Sequence, residues 1–163
     1  MGRESSGGIV RVARLGAGAC GLVVRRPMKA LLYARMAFWV VALSGLARLL
    51  PLPRVMRVMT PLRRPPAAPE NSEAVQERVA ETLDALLRTD FWVFTPTCWK
   101  RAPVLYRYLL LEGIRARVVF GMRKEGGGVA GHAWLERDGR PVLEKSAPAY
   151  AVTFVFPKPA GRT

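Results

Sequence analysis

Residues 116–145 read ARVVFGMRKEGGGVAGHAWLERDGRPVLEK, and the period of this stretch decides the fold. The helical spacing of the preceding residues gives way here to a period of two, the spacing of a strand with one buried face. Ala116–Met122 is predicted as a strand, Arg123–Val129 as a Gly-rich loop and Gly131–Arg137 as a second strand. Asp138-Gly139 is a strong hairpin signal, Pro141–Lys145 returns as a third strand, and Val152–Phe156 is a candidate fourth. Helices followed by an antiparallel sheet make an α+β fold.

Upstream, a helix is expected from about Cys98 to Leu111, with Gly113 as its C-cap. Pro103 argues that this helix starts close to Cys98, because proline is tolerated only in the first turn of a helix. Before it comes a helix capped by Asn71 or Ser72, with Glu73 and Glu77 at its positive end and Arg88 at the other. Val75, Val79, Leu83, Leu86 and Leu87 form its apolar stripe. Residues 65–71 are a Pro-rich linker, and residues 72–163 the domain proper. Residues 28–64 are basic, apolar helices: one over 29–50, ended by Pro51 and Pro53, then a short one over 54–63. Residues 1–27 are expected to be a disordered tail or a mis-assigned start, with Met28 as the natural one.

The charge is uneven. Residues 1–64 carry 12 Lys+Arg against one acid, Glu4, while residues 65–163 carry 14 against 11. No zinc-finger spacing and no aromatic RNA-binding strand accompanies the basic part, which points away from nucleic acid. The apolar run Met36–Ala47 has 12 residues, whereas a bilayer takes roughly 20. Burial against the domain or a partner is therefore preferred, with a membrane-surface position as the alternative. Two cysteines, Cys20 and Cys98, make no disulfide framework, and the expected compartment is the cytoplasm, with the inner face of its membrane as the alternative. With one histidine, and neither CxxC nor HExxH, no metal or other cofactor is expected.

That histidine is His132, 34 residues after Cys98. A cysteine at a helix start, a lone histidine and a nearby carboxylate are the parts of a thiolate nucleophile, its base and the base's orienter. The orienter depends on one residue of register. A two-residue Asp138-Gly139 loop pairs Arg137 with Arg140 and aims Glu144 away from His132. A three-residue loop with a bulge at Gly139 pairs His132 with Glu144 and supplies the orienter, and is preferred on that ground. Glu136 and Asp138 remain as alternatives, both expected in solvent. Trp99 and Trp134 are candidate cleft walls, and Gly126–Gly128 a candidate flap.

Thr97-Cys98-Trp99-Lys100-Arg101-Ala102, Leu105–Leu110 with Gly113-Ile114, Val119–Lys124 and Ala130–Glu136 through Asp138-Gly139 to Glu144 resemble the lasso-peptide maturation B-proteins. That family is transglutaminase-like and papain-like. The resemblance covers residues 72–146 and implies a cysteine peptidase that removes the leader of a ribosomally made precursor peptide. It implies Cys98 as nucleophile, His132 as base and Glu144 at the position usually held by Asp. It also implies a separate leader-recognition protein and an ATP-using macrolactam cyclase as partners. Two other functions stay open: an amide or acyl transferase on the same residues, and a non-enzymatic scaffold at a membrane surface.

Overall fold

The structure, a computed structural model, describes residues 27–90, 93–144 and 146–158. The expected disordered tail, Cys20 and the end of the third predicted strand at Lys145 lie outside the described residues. Contacts divide the chain into two compact units, residues 1–36 and 37–163. Of the first, the described part is the opening of helix α1 (Pro27–Leu49).

In the second unit, α1 is followed by α2 (Leu52–Met59), α3 (Ser72–Leu87) and α4 (Cys98–Leu111). A four-stranded antiparallel sheet completes it: β1 (Arg117–Glu125), β2 (Gly128–Arg137), β3 (Arg140–Val142) and β4 (Ala151–Phe156), in the order β3-β2-β1-β4. The chain is thus α+β, as the change of period indicated.

Pro51 and Pro53 do more than end α1. Pro51 is the N-cap of α2 and Pro53 lies in its first turn, where a missing N–H costs nothing. The helix therefore begins earlier than expected and stops at Thr60, whose hydroxyl donates back to the Met56 carbonyl at 2.9 Å. It packs on α4: Arg107 donates to the Met59 carbonyl at 3.0 Å, and Thr60 Oγ1 lies 3.3 Å from the Tyr106 hydroxyl.

Helix α4 is the spine of the unit. Val104, Leu105 and Leu109 are fully buried, and the helix packs against α2, α3, β1 and β2. Pro103 sits in its second turn rather than its first, which leaves the Trp99 carbonyl without an intrahelical donor. Ile114 N–H reaches the Leu109 carbonyl at 2.8 Å and Gly113 N–H the Leu110 carbonyl at 3.1 Å, a Schellman cap. Gly113 has φ of 81°, and a Cβ there would lie 2.5 Å from the Ala67 carbonyl oxygen, so the linker closes over a position only glycine fits.

β1 and β2 run longer than expected. β1 and β2 pair through Glu125–Gly128 around a two-residue turn, Gly126-Gly127, with φ of 55° and 82°. This turn begins five residue steps beyond Gly121, which pairs with His132, a run of about 17 Å. The expected flap over the histidine is therefore a tight hairpin at the far end of the sheet.

Candidate active site

Thr97 is extended, with φ −122° and ψ 138°, and Cys98 opens α4 behind it. The Thr97 carbonyl accepts the Lys100 and Arg101 N–H groups at 3.1 and 3.0 Å. The N–H groups of Cys98 and Trp99 therefore have no partner inside the helix, and its positive end lies at the thiol. Cys98 is half-buried, with Sγ 4.0 Å from the carbonyl oxygen of Gly131, the residue before His132.

The two basic side chains that follow the thiol on α4, Lys100 and Arg101, are engaged elsewhere. Lys100 is buried, and its ammonium donates to the Val93 carbonyl at 2.8 Å and to the Thr95 hydroxyl. Burial lowers its pKa below the usual lysine value, opposed by the nearby Asp90 carboxylate. Its effect on Cys98 is mechanical: it ties down the segment that delivers the thiol. Trp99 walls a small cavity with Leu43, Pro103 and Phe120, away from Cys98.

His132 is half-buried on β2 and carries an aromatic stack. Trp134 lies parallel to it at 5.8 Å and 16°, and Tyr150 at 5.2 Å and 30°. Gly121 is the β1 partner of His132, and a Cβ there would stand 2.7 Å from Tyr150 Cβ and 3.0 Å from the Trp134 ring. The stack exists because β1 offers bare backbone at that point. Arg123 holds the outer side of Tyr150, its guanidinium carbon 4.7 Å from the ring centre.

The register of the third strand corrects the sequence reading. Leu135 pairs with Val142, Glu136 with Pro141 and Arg137 with Arg140, so the loop has two residues and no bulge. Asp138 and Gly139 take φ of 52° and 79°, both positive as a type I′ turn requires, and this turn matches strand twist without an extra residue. In a regular strand Glu144 would then point away from His132. Instead β3 ends at Val142, and Leu143 adopts φ of 60°, a left-handed conformation that leucine rarely takes. The chain swings round, and Glu144 Oε2 lies 3.2 Å from His132 Nε2. With Nε2 so engaged, Nδ1 is the ring nitrogen left to exchange a proton.

Arg101 braces this bend. It grips Asp84 with two bonds, Nε to Oδ1 at 2.7 Å and Nη2 to Oδ2 at 3.1 Å. Its Nη1 donates to the Leu143 carbonyl at 3.3 Å and stands 3.8 Å from Glu144 Oε1. The sequence offers one signal for this role of Arg101, its place one turn of α4 beyond Cys98.

The other two carboxylates lie elsewhere. Glu136 is not in solvent as expected: it accepts from Trp134 Nε1 at 3.1 Å and pairs with Arg117 at 2.9 Å. Asp138 is exposed at the turn, 3.7 Å from Arg137. Cys98, His132 and Glu144, with Thr97, Arg101 and Leu143, line one open cavity of about 500 Å³. A second of about 690 Å³ adjoins it across Leu143, between α3 and the β2–β3 turn. Among the described residues no three His, Cys, Asp or Glu side chains gather to hold a metal.

The model of the transglutaminase-like superfamily matches residues 37–155. The chain belongs to that superfamily. Its members are usually cysteine-based enzymes, peptidases and transferases, and this transglutaminase-like chain has the helices and antiparallel sheet that go with the fold. The match begins within α1 and takes in all of α2. No curated protein and no solved structure matches the chain.

Proposed function

We propose that this transglutaminase-like protein is a cysteine peptidase that cuts the leader from a ribosomally made precursor peptide during lasso-peptide maturation. The observation that carries the reading is a thiol at a helix N-terminus and a carboxylate-bound imidazole opening on one cavity. The substrate class rests on the resemblance of residues 72–146 to the B-proteins of that pathway.

In this reading His132 Nδ1 takes the Cys98 proton, and the thiolate adds to the scissile carbonyl. The oxyanion is met by the Cys98 N–H, which the helix leaves unused. The carbon–nitrogen bond breaks as the imidazolium gives its proton to the leaving amine. The neutral imidazole then draws a proton from water, which attacks the thioester, releases the leader as a carboxylate and regenerates the thiol. Glu144 holds the ring through Nε2 and stabilises its charged form. A separate recognition protein presents the leader, and an ATP-using cyclase takes the cleaved core. The place is the cytoplasm, where a free thiol persists.

Mass spectrometry of a precursor peptide incubated with the protein and its recognition partner tests this, comparing wild type with Cys98→Ala. Cleavage at one bond in the wild type and none in the variant is expected. Cleavage that survives in Cys98→Ala overturns the thiol mechanism, and amine incorporation in place of hydrolysis makes the protein a transferase.

A further inference from the structure

Residues 27–64 contain seven lysines and arginines and no carboxylate. Within them α1 is apolar on two opposite sides. Val40 and Leu43 are buried, together with Ser44, whose hydroxyl is satisfied by the Val40 carbonyl at 2.8 Å. At about 100° per residue, Phe38, Val41 and Leu49 fall on the other side. They are 64%, 38% and 81% exposed. Val58 on α2 and Leu62 in the turn after it are further exposed apolar side chains of this segment.

A helix apolar all round belongs in a protein interior or in lipid, and the outward side of α1 meets no described residue that covers it. The charged side chains of the segment from the end of α1 to residue 64 are all cationic. Arg48, Arg54, Arg57, Arg63 and Arg64 are exposed, and the ion pairs among the described residues include none of them. Apolar side chains among arginines without counter-charges fit an anionic bilayer, where rings and methyls enter the headgroup layer and guanidinium groups meet phosphate.

Met28–Leu49 is long and apolar enough to cross a membrane by length and composition, with a mean hydropathy of 1.6. The inner side of α1 argues against crossing. The Arg107 guanidinium carbon sits 3.6 Å from the centre of the Trp39 ring, and Leu43 shares a small cavity with Val55 and Pro103. A spanning helix would have to give up these contacts. We propose that the outward side of α1, with the arginines of residues 48–64, docks the protein flat on an anionic membrane surface.

Flotation of the full chain with vesicles tests this, using phosphatidylcholine alone or with about 30% phosphatidylglycerol. The expected result is at least about tenfold enrichment on the anionic vesicles, lost as salt rises from about 0.1 M to about 0.5 M. The double variant Arg54→Glu/Arg57→Glu should lose that enrichment, and Phe38→Ser/Leu49→Ser should reduce it. Unchanged circular dichroism and Cys98 alkylation show that both variants fold. Equal recovery on the two vesicle types, or full binding by both variants, overturns the proposal. So does absence from both vesicle types, which assigns the surface to a protein partner. Resistance to alkaline carbonate extraction also overturns it, because α1 then spans the bilayer.

Discussion

Glu144 reaches His132 only because Leu143 accepts a left-handed backbone, and a conformation of this kind costs on the order of 1–3 kcal/mol. The Arg101 bond to the Leu143 carbonyl and its double bond to Asp84 offset that cost. Replacing Glu144 with Gln keeps the shape but removes the charge that stabilises the imidazolium. We expect kcat to fall by roughly 10²- to 10⁴-fold with KM little changed, measured on the precursor peptide. Glu144→Asp should fall less far. Arg101→Met acts at one remove: it leaves Glu144 in place chemically but frees the bend. A kcat loss of about 10- to 100-fold at nearly constant KM is expected, and Asp84→Asn should give a smaller loss in the same assay. The Arg101–Asp84 pair is a quarter to a third exposed, so its loss should cost only about 1 kcal/mol of stability by urea unfolding.

Two elements carry the site, and each was legible to a different degree. The start of α4 at Cys98 and its cap at Gly113 were both readable, because helix ends leave local signals: an extended residue before, a left-handed glycine after. The hairpin Asp138-Gly139 was readable as a turn but not in its register, which had been inferred from the need for an orienter. Turn chemistry decided the register, and a residue beyond the strand met the need. Gly121 was silent in the sequence, since its purpose comes from Tyr150 and Trp134 on other strands and loops. Gly121→Ala should cost about 1–3 kcal/mol in urea unfolding, because Tyr150 Cβ is anchored to backbone and has little room to move. It should also lower kcat by shifting the ring that Trp134 and Tyr150 hold.

At the scale of the unit formed by residues 37–163, the stability of the site is the stability of the packing around α4. Leu105 and Leu109 are fully buried in a helix that touches α2, α3 and the sheet, so Cys98 and His132 keep their spacing only while that core is intact. Leu105→Ala should destabilise the unit by about 2–5 kcal/mol, read as a lower urea midpoint. Below the new midpoint, activity should persist, since no cavity-lining side chain has changed.

Local chemistry along the chain determined the α+β order of elements, the helix that begins at Cys98, the strand that carries His132 and the turn that follows it. Each rests on neighbours within a few residues: period, caps and turn residues. Local signals also brought Cys98 and His132 forward as candidates, because one is a cysteine at the start of a helix and the other is the chain's single histidine. Tertiary structure alone decided which of three carboxylates meets the imidazole. That outcome depends on a left-handed leucine, an arginine 42 residues before it and the way Glu136 is drawn off by Arg117. Such choices turn on contacts between distant segments, and the free energy that sets them exists only once the chain is packed.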